Sequence, residues 1–218
     1  MKLSPFFKNK HNQAIIALII ANIIWGAASP IFKLALENIP SFTLAFLRFF
    51  GATLLLLPFA IHNLHIEKRD WGKLILLSLF GITINITFFF FGLKRAPSIN
   101  APIIASSGPI FLYLLSLVIL KEKFHPKLFA GTLMSLLGVL LIVGQPIIGG
   151  TLDGEFVGNL FFLLAMFGSV GYTIVSKEIL PKYDVVTVTF WSFLLGSLTF
   201  LPFFFFEARA LHPFATLD

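Results

Sequence analysis

An all-α polytopic membrane protein, with an internal repeat that re-enters the bilayer upside down, is what three features of this sequence predict. The chain is 57% hydrophobic and only 12% charged, with a mean hydropathy of +0.93, outside the range of soluble globular domains. Apolar windows of roughly 20 residues, the length that crosses about 30 Å of hydrocarbon, occur at 14–36, 41–61, 74–93, 98–120, 127–145, 156–176 and 185–206, giving seven spans. Residues 21–59 also overlay 165–203 without a gap: Lys33 falls on Lys177, Leu36 on Leu180, Thr43 on Thr187, Phe46 on Phe190, Phe49 on Phe193 and Pro58-Phe59 on Pro202-Phe203. The repeat length holds an odd number of spans, so the second copy enters the membrane inverted. Inverted repeats are an arrangement that secondary transporters use.

The first span follows a polar, basic stretch, 1–13. Its apolar run exceeds a signal-peptide core and contains Pro30 just past the small pair Ala27-Ala28, so it is read as a retained span. Asn22, Gly26, Ser29 and Lys33 share one helix face, suited either to a cavity or to close helix packing. Lys33 lies near the outer end of the span. It serves either as a carboxylate contact at a cavity mouth or as a lysine reaching the interface, with Glu37 one turn on as its candidate partner.

In the second span Arg48 sits about two turns in, where a lipid-facing charge would cost roughly 2.5–3.5 kcal/mol. It must face the bundle. It is read as structural, tying helices by bonding carbonyls, with substrate binding as the alternative. The third span sets Ser78, Gly81 and Asn85 in register beside Thr83, Thr87 and the phenylalanine run 88–91. In the fourth, Pro102, Ser106, Pro109, Tyr113 and Ser116 alternate spacings of four and three. Two prolines on one face free backbone carbonyls, which is tolerated toward protein or a watered cavity, so this face is the first choice for a cavity wall, a kink for gating or packing being the other use. Gly131, Ser135 and Gly138 give the fifth span a small-residue face for a helix or homodimer contact. The sixth carries Ser169, Tyr172 and Ser176 on one face, the seventh Thr189, Ser192, Gly196 and Thr199.

Lys and Arg collect in cytoplasmic loops. An N-terminus inside places Lys68, Arg69, Lys73, Lys121, Lys123, Lys127, Lys177 and Lys182 on that side and leaves Lys94, Arg95 and Arg209 outside. The net charge of +6 therefore reports topology, not nucleic-acid binding. The chain has no cysteine, hence no disulfide framework or thiolate metal site. His62 and His65 lack convergent partners, so no metal site or cofactor is expected. No Asp or Glu lies deep in a span, which removes a buried carboxylate relay; Glu122 and Glu178 lie at ends, and either suits an inner gate. No acid, base and nucleophile converge, so an enzyme is not expected.

Ile24-Trp25-Gly26 with Pro30 and Lys33, then Phe46-Leu47-Arg48-Phe49, resembles the opening of EamA domains in the drug/metabolite transporter superfamily. Ala96-Pro97-Ser98-Ile99-Asn100-Ala101, Gly108-Pro109-Ile110-Phe111, Lys121-Glu122-Lys123, Gly131 and Leu136-Leu137-Gly138-Val139 are similar to that domain's third to fifth helices. Lys121 departs from the family pattern, which has a glycine before the acid. The resemblance makes 14–145 one five-helix repeat and 156–218 the start of a second. It implies ten transmembrane helices in two inverted five-helix repeats, of which seven are present here, so the C-terminal part of the second repeat is expected to be missing.

It further implies export or exchange of a small metabolite by alternating access through a central cavity, in the cytoplasmic membrane. The cavity walls would come from the first, third, fourth and sixth helices. Ser29, Asn85, Ser106 and Ser107 would be hydrogen-bond partners, Trp25, Phe89, Tyr113 and Tyr172 walls, and Lys33 a counter-ion for a carboxylate. Arg48, Pro102, Pro109 and Glu122 would be structural or gating residues. The expected partners are the substrate and the lipid bilayer, with a homodimer through Gly131, Ser135 and Gly138. The alternative is a non-transporting half-transporter subunit or assembly partner.

Overall fold

A computed structural model describes residues 10–119, 124–148 and 154–211. Its helices are α1 (Lys10–Asn38), α2 (Ser41–Ala60), α3 (Trp71–Ser78), α4 (Asn85–Leu93), α5 (Asn100–Ala105), α6 (Gly108–Ile119), α7 (Pro126–Ile148), α8 (Gly154–Ile179) and α9 (Val185–Leu211). Single 3₁₀ turns, Ile61–Asn63 and Lys68–Asp70, link α2 to α3, and a π-helical turn, Leu79–Ile84, joins α3 to α4. Helix occupies every apolar window of the sequence. Among the described residues five stretches, Asn12–Asn38, Ser41–Asn63, Lys68–Leu93, Gly154–Ile179 and Val185–Arg209, are long and apolar enough to cross a membrane. The fourth window is broken into α5 and α6.

The choice of helix follows from the solvent. Lipid offers no partner for backbone N–H and C=O groups, so a spanning segment must satisfy them internally. The outward surface fits that reading: Leu18, Ile24, Leu55, Met134, Leu141 and Phe206 are all exposed, which water would penalise and acyl chains do not.

Inside, two apolar clusters hold the bundle. The larger joins Leu36, Phe49, Ile82, Ile86, Phe90, Leu93, Ala101, Ile104, Phe162 and Phe200. The second, toward the other end, joins Ile66, Leu74, Leu77, Ile179 and Val188, with Trp71, Tyr172, Tyr183 and Trp191 against it.

Helix α8 is the central strut, touching α3 through α7, and small residues let it sit there. A Cβ on Gly168 would lie 2.8 Å from the Phe80 carbonyl oxygen and 3.1 Å from the Asn85 nitrogen; one on Gly158 would lie 2.8 Å from the Ala96 nitrogen. These obstacles are backbone and cannot swing aside. Without a hydrophobic force between helices in lipid, such close approach supplies the packing energy.

Helices α2 and α9, repeat-equivalent in sequence, run antiparallel along each other. At one end Glu207 of α9 accepts from the Phe42 N–H at 3.3 Å, the Thr43 N–H at 2.7 Å and the Thr43 hydroxyl at 2.9 Å. At the other end the Thr187 hydroxyl donates to the Asn63 carbonyl at 2.7 Å. Thr187 is the equivalent of Thr43, and Glu207 of Asn63. The Glu207 carboxylate also meets the positive end of the α2 dipole and satisfies first-turn N–H groups that Pro40, preceding α2 without a side-chain cap, does not serve.

Candidate functional site

A cavity of about 140 Å³ opens between α1, α2, α4, α5, α6 and α8. Helix α1 contributes Trp25, Gly26, Ala28, Ser29 and Phe32, and α8 contributes Phe162, Ala165, Met166 and Ser169; each set keeps the three- and four-residue spacing of one helix face. Asn85, Ile86 and Phe89 come from α4, Ala101, Pro102 and Ala105 from α5, and Gly108 from the start of α6. Arg48 alone comes from α2. The lining is mostly apolar with few polar groups, the usual character of a small-molecule site.

Those polar groups are largely unspent. The Asn85 carboxamide donates to the Ala165 carbonyl at 2.6 Å, which fixes its orientation, while its oxygen receives no hydrogen bond among the described residues. The hydroxyls of Ser29 and Ser169 are likewise without a protein partner there. The Arg48 guanidinium carbon lies 4.3 Å from the centroid of the Phe32 ring and 5.0 Å from that of Phe49. Phe32 is held in turn, edge-on to Phe89 with centroids 6.4 Å apart.

Of the residues singled out from sequence, Trp25, Ser29, Asn85, Phe89, Arg48 and Pro102 come together at this cavity. Gly26 and Ser169 join them, whereas Lys33, Ser106, Ser107, Pro109, Tyr113 and Tyr172 do not line it. Lys33 donates to the Ala96 carbonyl at 2.6 Å, and no Lys33–Glu37 ion pair exists among the described residues, so the partner expected for it is corrected. The long fourth-span stripe is interrupted at Ser106 and Ser107. Pro109 sits in the first turn of α6, where its missing N–H costs nothing, and each serine hydroxyl donates to a carbonyl three residues back, Ile103 and Ile104, at 2.6 Å. Both hydroxyls are spent at the break. The hydroxyl of Tyr113 accepts from the His125 N–H at 2.8 Å, tying α6 to the segment before α7. Tyr172 packs against Gly81, where a Cβ would overlap its ring. Glu122 lies outside the described residues.

Met166, Phe162 and Phe32 were missed. Extending the Ser169 face backward by three and four residues finds Met166 and Ala165, and Phe162 follows; a step of three residues forward from Ser29 finds Phe32. Arg48 was found but given the wrong partners, since it bonds no carbonyl among the described residues.

Polar links close the bundle at each end. Asp70, almost fully buried, accepts from Lys182 at 2.9 and 3.0 Å and from the Tyr183 hydroxyl at 2.8 Å. Burial, with the Asp70 carboxylate beside it, pushes the Tyr183 phenol above its usual value. Lys73 pairs with Glu178 alongside. At the opposite end the Asn100 carboxamide donates to Glu155 at 3.2 Å and to Asn159 at 3.0 Å. No group of three metal-ligating side chains converges among the described residues.

Comparison with known proteins bears on this architecture. The model of the EamA-like transporter family matches residues 12–144 and again 156–217. An uncharacterized transporter of Archaeoglobus fulgidus is 30% identical over 88% of this chain and 67% of its own length. The uncharacterized transporter YetK of Bacillus subtilis is 30% identical over 92% of this chain and 62% of its own. A protein of Escherichia coli named a probable amino-acid metabolite efflux pump is 26% identical over 94% and 69% respectively. The chain thus spans about two thirds of the length of these relatives, and no solved structure matches it. Two family matches that together cover most of the chain, on an all-helical, lipid-compatible bundle, place this multi-pass membrane protein in the EamA-like transporter family of the drug/metabolite transporter superfamily.

Proposed function

We propose that this protein is a secondary transporter that moves a small polar or amphipathic metabolite across the cytoplasmic membrane by alternating access, with its N-terminus in the cytoplasm. The observation that carries the proposal is the cavity itself, lined by the first, third, fourth and sixth spans and by Arg48 of the second, with unspent hydrogen-bonding groups on apolar walls. The antiparallel packing of the repeat-equivalent α2 and α9 supports two inverted repeats, 14–145 and 156–218. Relatives named for amino-acid metabolite efflux in Escherichia coli and for S-adenosylmethionine uptake in Rickettsia bellii support a small organic cargo and leave the direction to the gradient. Lys68, Arg69, Lys73, Lys177 and Lys182 gather at one end and Lys94, Arg95 and Arg209 at the other, which supports the orientation.

Counterflow in proteoliposomes tests this reading. Vesicles preloaded with unlabelled amino acids and related metabolites should accumulate at least one labelled counterpart severalfold faster than protein-free vesicles. A folded, reconstituted protein that exchanges nothing across such a panel defeats the proposal.

A second reading, a half-transporter subunit that associates through α7, is favoured by one observation: a Cβ on Gly131 or Gly138 would meet nothing within 4 Å. That face is open in the single chain, and the Ser135 side chain between the two glycines lies outside the described residues. Crosslinking between cysteines placed at Gly131 in two copies distinguishes it, since the chain has no cysteine of its own.

A further inference from the structure

We propose that Arg48 is the anchor for a carboxylate, so that the cavity takes a small organic acid with its charged group against α2 and its apolar part against α8. The inference rests on the transport reading only in that the cavity must be reached from water.

The charge balance of the cavity carries the argument. Arg48 presents five N–H donors in a planar fork, and among the described residues none is taken by a carbonyl, hydroxyl or carboxylate. It lies over the faces of Phe32 and Phe49, which hold a cation against their π-clouds without using its donors. Among the described residues no Asp or Glu lines the cavity, so the wall carries one uncompensated positive charge at membrane depth. Such a group is retained where something of opposite sign meets it.

The size and nature of the walls narrow the ligand. A volume of about 140 Å³ is close to that of a cavity that takes a benzene ring, and Phe89, Phe162 and Met166 offer such a ring apolar surface. A guanidinium fork matches a carboxylate through two parallel hydrogen bonds. A phosphate dianion would call for a second cation, and the nearest in sequence pattern, Lys33, is bound to the Ala96 carbonyl. The free oxygen of Asn85 and the hydroxyls of Ser29 and Ser169 remain for a second polar group on the same ligand.

Thermal unfolding of the purified full chain in detergent, titrated with phenylacetate, phenylacetamide and inorganic phosphate, tests the assignment. The acid and the amide share a shape and differ in charge. Phenylacetate should bind about tenfold or more tightly than phenylacetamide, and Arg48→Gln should bring the two within about twofold. Equal binding of acid and amide by the unaltered protein, or a preference untouched by Arg48→Gln, overturns the proposal; tighter binding of phosphate than of phenylacetate overturns the choice of carboxylate. Should Arg48→Gln fail to fold, Arg48→Lys keeps the charge and loses the fork, and an acid-to-amide ratio unchanged in that variant overturns the proposal equally. The two readings fail separately. Acid preference lost in Arg48→Gln without counterflow by any vesicle leaves the anchor and removes the transporter, whereas counterflow with an Arg48-independent preference does the reverse.

Discussion

Phe49 and Phe193 occupy the same position in the two copies of the repeat, and they pack against each other edge to face, ring centroids 5.2 Å apart at 77°. A residue touches its own equivalent only beside a two-fold axis. The axis relating α2 to α9 therefore passes close to this aromatic pair, and its antiparallel sense makes the pairs Thr43–Glu207 and Thr187–Asn63 images of one another. Truncating Phe49, which is 5% exposed, to alanine should cost about 3 kcal/mol. The double variant with Phe193→Ala should fall short of additivity by about 1 kcal/mol, as read from reversible unfolding in mixed micelles.

Glu207 is predicted to matter for folding more than its place near the C-terminal end of α9 suggests. Glu207→Ala leaves the Phe42 and Thr43 N–H groups without their acceptor and should lower stability by about 1 kcal/mol. Glu207→Gln keeps an acceptor and loses the charge, so it should fall between. Equal unfolding midpoints for all three proteins contradict the capping role.

The link among Asp70, Lys182 and Tyr183 should hold two loops together. Lys182→Met, with one cysteine introduced at Glu67, is expected to raise the rate of thiol labelling there several-fold, because Glu67 donates its N–H to the Tyr183 hydroxyl at 3.2 Å. The background is clean, since no native cysteine competes.

Gly168→Ala should destabilise by about 1–3 kcal/mol, because its methyl group meets the Phe80 carbonyl and the Asn85 backbone. Gly131→Ala, with open space around it, should change the unfolding midpoint little. A Gly168→Ala protein as stable as the unaltered one rules out the tight α8 contact.

Lys33→Gln is expected to lower thermal stability and to leave any discrimination between acidic and neutral ligands unchanged. Its ammonium holds the Ala96 carbonyl and lies off the cavity. A selective loss of acid binding in this variant, measured by the same titration used for Arg48, restores Lys33 as the counter-ion.

The sequence made the membrane class, the seven helical windows and the repeat legible, because each depends on a long-range average or on a register that side-chain chemistry alone expresses. What it could not show was where polar groups spend their hydrogen bonds. Ser106 and Ser107 read as cavity residues until the chain breaks beneath them and both hydroxyls turn to their own backbone. Arg48 read as a tie between helices because a buried guanidinium needs acceptors, whereas the rings beside it are Phe49, the next residue of α2, and Phe32 of α1, a pairing across helices that the sequence does not display. Nor does the sequence display the π-helical turn at Leu79–Ile84 in the third span. Gly81 and Asn85 nevertheless both face α8, Gly81 against the Tyr172 ring and Asn85 against the Ala165 carbonyl, so the register read from the sequence survives the wider turn.

The bonds at opposite ends of α2 and α9 have a mechanical consequence. Two antiparallel rods pinned at both tips and stacked at their midpoint cannot scissor: opening one tip would drive the other together, where the Thr187–Asn63 or Thr43–Glu207 bond already sets the spacing. Under the alternating access proposed above, this pair is the part that stays fixed, and the movement falls to α1, α5 and α6 on the other side of the cavity, with the break at Ser106 and Ser107 as the joint.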